Sequence, residues 1–250
     1  MSVDVELVHG LETRMMNAWP AIHTQMVDQW IVRLANGYSG RANSASALAP
    51  GAGLTDGALA HVESLFDAAG IRPLVRITPL ADASVDAELT AAGWSLDNES
   101  LVMVAPLDGN TVVDPHATLA PRVTEAWALA NAASYGGVKS NAEHLYAIVS
   151  RIRPTATFAT LTEDGEDVAW GIGVTERGFV ALQDLVVDPK ARGRGLGRRL
   201  TTTLMAAGWK AGATRAYLQV SEENRVARAL YEQLGFVEAY RYTQRVRPGN

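Results

Sequence analysis

The chain of 250 residues contains no cysteine. That excludes a disulfide framework, a thiolate zinc site and any catalytic thiol. A group transferred by this protein therefore does not rest on a cysteine on the way. Lysine is scarce: of 22 basic residues only Lys139, Lys190 and Lys210 are lysines. No apolar run approaches the roughly 18 residues that a membrane span needs. The opening MSVDVELVHG is acidic and lacks the basic-then-apolar order of a secretory signal. These absences predict a cytoplasmic protein with no membrane partner.

Also missing is any basic stripe with interleaved aromatics, so no nucleic-acid partner is expected. The five histidines, His9, His23, His61, His116 and His144, show no metal-ligand spacing, and no metal is expected. What is present is ordinary globular material, 48% hydrophobic and 20% charged, which excludes disorder. The net charge of −5 is unevenly spread. Residues 1–105 hold 5 Arg against 12 acidic residues, whereas 106–250 hold 17 basic against 15 acidic ones.

Strand-like and helix-like segments alternate, which predicts the α/β class with a mixed sheet. Strands are expected at Thr24–Asn36 and Arg41–Leu48, a helix from Thr55–Asp56 to Gly70, and a short strand at Pro73–Ile77. A helix over Asp82–Ala92 and a strand pair over Trp94–Pro106 follow. The turn-rich stretch from Leu107 to Pro121 reads as a linker. Beyond it come helices at Arg122–Ser134 and Asn141–Arg151, then strands at Thr155–Thr162, Asp167–Thr175 and Phe179–Val187. A helix over Gly195–Ala211, a strand at Arg215–Val220, a helix at Asn224–Leu234 and final strands from Val237 to Val246 complete the chain.

Shifting the sequence by 142 residues aligns the two halves without a gap over more than 40 positions. Gly51, Gly53 and Leu54 fall on Gly193, Gly195 and Leu196, Gly70 on Gly212, and Gly93-Trp94 on Gly235-Phe236. Helix and strand phases coincide with the glycines, which predicts two copies of one architecture. The expected division is 1–106, a linker at 107–117, and 118–250.

The stretch Leu185-Val186-Val187-Asp188-Pro189-Lys190-Ala191-Arg192-Gly193-Arg194-Gly195-Leu196-Gly197-Arg198 is the most informative. An apolar strand runs into a glycine-rich loop and then a helix, so successive backbone amides and a helix dipole converge on one anion site. A P-loop would end in Gly-Lys-Ser/Thr, and a dinucleotide fingerprint would space its glycines as Gly-x-Gly-x-x-Gly. Neither fits.

Arg192-x-x-Gly195-x-Gly197 resembles the Arg/Gln-x-x-Gly-x-Gly/Ala signature of the GNAT superfamily of N-acetyltransferases. Asn224 and the run Ala-Leu-Tyr-Glu-Gln-Leu-Gly-Phe at 229–236 support the resemblance, which covers about residues 118–247. It implies a tandem GNAT fold that uses acetyl-CoA and acetylates a small-molecule or peptide amine, as a monomer or homodimer. By the same resemblance, Leu185, Val186, Val187 and the loop Arg192, Gly193, Arg194, Gly195, Leu196, Gly197, Arg198 hold the cofactor, together with Asn224. Tyr231 is the implied acid for the departing thiolate; a phenol of pKa about 10 can protonate a thiolate whose acid has a pKa near 8.5. Asn224 reads equally as a helix N-cap.

Asp184 is the leading candidate for the base, with Glu143, His144 and Glu223 behind it. Under the 142-residue shift, Arg192 meets Pro50, Gly197 meets Thr55, Asn224 meets Asp82 and Tyr231 meets Leu89. The first half thus reads as a worn copy unable to bind CoA. The segment Trp30–Leu34 with Gly37, Arg41, Asn43 and Ser44 reads as a polar-turned hairpin, with a wall of the acceptor site as the alternative. A non-catalytic acyl-CoA sensor, or a transferase with a longer or aminoacyl donor, are the competing readings.

Overall fold

Apolar residues spaced for strands and helices assemble into a single mixed sheet in the computed structural model, which describes residues 4–135 and 139–249. The first part contains α1 (Val5–Ala18), β1 (His23–Val27), β2 (Trp30–Leu34), β3 (Ser44–Ala47), α2 (Asp56–Ala68), β4 (Leu74–Ile77), α3 (Val85–Ala91) and β5 (Ser95–Pro106). The second contains β6 (Ala117–Ala120), α4 (Glu125–Ser134), α5 (Lys139–Val149), β7 (Thr155–Glu163), β8 (Glu166–Glu176) and β9 (Phe179–Val187). It ends with α6 (Leu196–Lys210), β10 (Arg215–Ser221), α7 (Arg225–Gln233) and β11 (Val237–Val246). None of the described helices is long and apolar enough to cross a membrane.

The strand order is β1-β2-β3-β4-β11-β5-β10-β9-β8-β7-β6. Two neighbouring pairs are parallel, β3 with β4 and β9 with β10, and each is joined through a helix, α2 and α6 respectively. Every other pair is antiparallel. The last strand of each half pairs with the other half: β5 lies against β10, and β11 lies against β4. Between them, β5 and β11 pair along most of their length.

Several elements differ from the sequence expectation, each for a physical reason. Thr24–Asn36 is not one strand but the hairpin β1–β2, reversing at Asp28 with φ 50°. Aspartate tolerates that left-handed conformation, but Asp-Gln is a weak turn signal beside Asn-Gly. Trp94–Pro106 is not a pair but the one long strand β5. Its polar middle is absorbed by the neighbours, since Ser221 donates to Asn98 Oδ1 at 3.2 Å and Asn98 donates to Ser100 at 2.7 Å. The helix α1 was not expected at all. Its buried face, Val8, Leu11, Met15 and Ala18, carries a buried glutamate, Glu12, and the helix contains Gly10, so the apolar period is masked.

Two apolar cores form. The smaller joins Leu196, Leu200 and Leu204 of α6 and Tyr231 of α7 to Val180, Leu182 and Leu218 of the sheet. The larger gathers α1 to α5 through Leu11, Phe66, Leu89, Trp127 and Leu145. The helix α6 sits very close to β9: a Cβ on Gly208 would lie 2.6 Å from Val180. Only glycine allows that approach.

At the seam where β11 meets β4, an ion pair is fully enclosed. Arg76 and Glu12 are 0% and 1% exposed, and Arg76 Nη2 donates to Glu12 Oε1 at 3.0 Å. Tyr240 of β11 donates its hydroxyl to the same carboxylate, and Tyr242 places its ring 3.7 Å from the Arg76 guanidinium. Removing one partner strands the other without water. Glu12→Ala is therefore expected to destabilise the fold by about 3–5 kcal/mol, whereas Glu12→Leu combined with Arg76→Met recovers most of that loss. Urea-unfolding midpoints check both.

Candidate active site

The ladder between β9 and β10 runs from Phe179–Arg215 to Leu182–Leu218 and stops there. The cause lies on the other side of β9. Gln183 pairs with Ile172 and Val186 with Trp170, so Asp184 and Leu185 together oppose Gly171. This is a β-bulge, and Asp184 takes its left-handed position at φ 53°. A Cβ on Gly171 would lie 3.1–3.3 Å from Leu204, Leu200 and Leu185, so the small residue makes room for the bulge. Past it β9 stays with β8, and β10 stays with β5. The two strands part, leaving an open wedge.

A groove of about 1020 Å³ enters this wedge. Leu185, Val186 and Val187 form its strand wall, and Asn224 and Tyr231 lie on the α7 side. Arg192, Gly193, Gly195, Leu196, Gly197 and Arg198 line its mouth. The loop is shaped locally: Asp188 Oδ1 accepts from Lys190 N at 2.8 Å, and Gly193 and Gly195 take φ of 79° and 77°. Gly195 caps α6 without any side-chain hydrogen bond. The first helical hydrogen bond closes from Arg199 N to Gly195 O, so the amides of Leu196, Gly197 and Arg198 precede the ladder. Such a helix start attracts anions.

Arg192 folds back to Val187 O at 3.3 Å, and Arg198 donates to Gln233. Arg194 differs from the rest: its side chain pairs with Glu163 and does not line the groove. Asn224 is the N-cap of α7, with Oδ1 accepting from Ala227 N at 3.1 Å, and it also lines the groove.

The inner end is a smaller polar chamber of about 170 Å³. It shares Tyr135, Leu185, Asn224 and Tyr231 with the groove and adds Arg41, Asp184, Gln219 and Ser221. Burial pushes the Asp184 carboxyl up to about 6, opposed by the Arg41 cation and the polar groups of Tyr135 and Asn131, which donate to the backbone carbonyls of Leu185 at 3.4 Å and Asp184 at 3.3 Å. Asp184 Oδ2 is buried with no hydrogen-bond partner among the described residues. Burial also pushes the Tyr231 phenol up to about 12, so it is protonated at neutral pH. Its ring packs on Phe236 at 5.8 Å.

The other candidates for the base lie elsewhere. Glu143 lines a separate cleft with α4 residues, His144 packs edge-on against Tyr38, and Glu223 is exposed in the turn before α7. Tyr135, Gln219 and Ser221 were not anticipated, because no motif surrounds them. Arg41 was named in the sequence with the wall reading as its alternative; here it lines the chamber. It donates to Gln183, and these two residues stand 142 apart, the same spacing as the internal shift.

The matching loop in the first half is built differently. Ala52 N donates to Leu80 O at 3.1 Å, Asp82 N to Ala52 O at 2.9 Å, and the Trp30 indole to Gly53 O at 2.8 Å. Thr55 caps α2 with its own hydroxyl, accepting from Ala58 N at 3.2 Å.

Residues 7–244 match the family model described as "Probable histone acetyltransferase Rv0428c C-terminal". The chain is 23% identical over 238 residues to the uncharacterized N-acetyltransferase YobR of Bacillus subtilis, covering 92% of this chain and 94% of that one. Over 79 residues it is 38% identical to the ribosomal protein bS18-alanine N-acetyltransferase of Escherichia coli, covering 32% of this chain and 53% of that protein. The solved structure of a GCN5-related N-acetyltransferase from Kribbella flavida superposes with a TM-score of 0.70 at 16% identity, over 100% of this chain and 98% of that one. At that identity the likeness concerns the fold.

The chamber also sets an expected titration. Replacing Arg41 by Gln removes the cation that favours the ionised carboxylate, so the Asp184 pKa is expected to rise above about 6. Carboxyl carbon NMR of the wild type and the variant measures the shift.

Proposed function

We infer the reaction from one premise: the chain belongs to the Rv0428c C-terminal family and is a GNAT-type N-acetyltransferase. In our reading the donor is acetyl-CoA and the acceptor a primary amine that attacks directly. The observation that carries it is the uncapped, glycine-shaped start of α6 opening onto the wedge between β9 and β10. Acetyl-CoA would supply the thioester; the loop amides and the cations Arg192 and Arg198 suit its phosphates, and the apolar wall of Leu185 to Val187 suits its arm. Arg194 contributes through its backbone, since its side chain is held by Glu163.

Asp184, poised near neutral pH, takes the proton that keeps the amine from attacking. The new carbon–nitrogen bond forms as the carbon–sulfur bond breaks. Tyr231 hands its proton to the departing sulfur and recovers one from the acylated nitrogen, so one proton leaves overall. Direct transfer accords with the lack of cysteine.

The division at 1–106 and 118–250 is proposed as two copies of one architecture that lend each other their final strands. The paired parallel crossovers through α2 and α6 support it. The first copy does not hold CoA in this reading, because Thr55 already satisfies its helix start and Ala52 is tied to Leu80 and Asp82.

Arg192→Ala with Gly195→Asp is expected to weaken acetyl-CoA binding by about 100-fold, roughly 2.8 kcal/mol, with the fold retained. Calorimetry and circular dichroism read the two effects separately. Tyr231→Phe is expected to lower kcat by about 100-fold while acetyl-CoA affinity changes by less than about twofold. Thiol release at saturating donor tests it; equal turnover would remove Tyr231 from the mechanism.

A further inference from the structure

The polar chamber beyond the groove carries more information than the motif that leads to it. Its charged lining side chains are Arg41 and Asp184, one of each sign. They come from distant parts of the sequence, Arg41 from the short helical turn Gly40–Ala42 that precedes β3 and Asp184 from the bulge of β9.

Arg41 is held in place by buried groups. Arg33, 1% exposed, donates to the Arg41 carbonyl at 2.6 Å. Asn43, 3% exposed, accepts from Ala35 N at 2.6 Å and Gly37 N at 3.0 Å and donates to Ser39 O at 2.8 Å, tying the loop together. The guanidinium stacks 4.5 Å from the Trp19 ring, and the Trp19 indole is itself anchored on Ser39 at 2.9 Å. Among the described residues the Arg41 guanidinium makes one hydrogen bond, to Gln183 Oε1. A guanidinium has five N–H donors, so most are left for a ligand.

Two further polar atoms, on side chains of residues that line the chamber, are buried without a partner among the described residues. Gln219 Nε2 is a donor whose own Oε1 is already occupied by the Tyr242 hydroxyl at 3.0 Å. Asp184 Oδ2 is an acceptor. Leaving such groups unsatisfied is costly, and a ligand that completes them gains accordingly. The set is thus a cation, an amide donor and a carboxylate in one small space.

We propose that the acceptor is a small amino acid whose carboxylate is held by Arg41 and Gln219 Nε2 and whose amine is held by Asp184 Oδ2. This rests on the N-acetyltransferase reading and deepens it by naming the substrate class. Arg41 becomes a specificity residue supplied by the half of the chain that lacks the cofactor loop. A lysine side chain within a protein has no carboxylate beside its amine and would leave Arg41 and Gln219 unmet.

The test uses the full chain saturated with CoA and calorimetric titration of L-alanine, L-serine, L-lysine, L-glutamate and L-phenylalanine, each against its carboxamide. At least one acid is expected to bind about tenfold or more tightly than its carboxamide, and Arg41→Gln is expected to abolish that difference while CoA affinity is kept. Equal binding of acids and carboxamides, binding of neither, or a preference that survives Arg41→Gln overturns the proposal. Thiol release from acetyl-CoA is followed with the same compounds. Carboxylate-selective binding without thiol release supports the amino-acid site at Arg41 and Asp184 and overturns the transferase reading, and with it the acceptor role. Carboxamides and peptide N-termini acetylated as well as the acids overturn the proposal and leave the transferase reading standing.

Discussion

The parting of β9 from β10 is the constraint on which the site depends. Parallel neighbours ordinarily run together for their whole shared length, and here the pairing ends at Leu182 and Leu218. A bulge that sets Asp184 and Leu185 against Gly171 bends β9. The gap does not collapse, because each strand is held on its far side, β9 by β8 and β10 by β5. The α6 start then faces the opening, since α6 packs down on β9 with Gly208 against Val180. One local irregularity thereby creates a groove, aims an anion-attracting helix end at it and places a carboxylate at its inner end.

The second dependence is the pairing of β5 with β11 at the centre of the sheet. With β5 lying between β11 and β10, and β11 between β4 and β5, the early and late strands join in one sheet. The enclosed Glu12–Arg76 pair, with Tyr240 and Tyr242 upon it, sits at one of these junctions. A buried ion pair adds little net stability, but it penalises any other pairing that would leave a charge alone. The Arg41 turn lies within reach of Gln183, so the polar chamber is assembled from residues far apart in the sequence.

Much of the fold was legible. The helix α2 between Thr55 and Gly70, and the strand β9 at Phe179–Val187, follow from caps, glycines and apolar runs that act within a few residues. Two elements, α1 and the unbroken β5, escaped because their polar residues find distant partners. Glu12 hides α1 because its counter-ion lies 64 residues away in sequence. The middle of β5 looked like a turn until Ser221, 123 residues from Asn98, supplied a hydrogen bond.

The site divides along the same line. By itself the sequence determined the glycine loop, because Gly193 and Gly195 answer a local demand for positive φ and because a helix start is an anion site wherever it lies. It also determined that Asn224 opens a helix and that no cysteine of this chain takes part. Only the tertiary structure decided that Asp184 is buried beside Arg41, that Arg194 turns away to Glu163, and that the first-half loop is closed by Leu80 and Asp82. The reason is physical: backbone conformation is set by neighbours in sequence, whereas desolvation and charge pairing are set by neighbours in space.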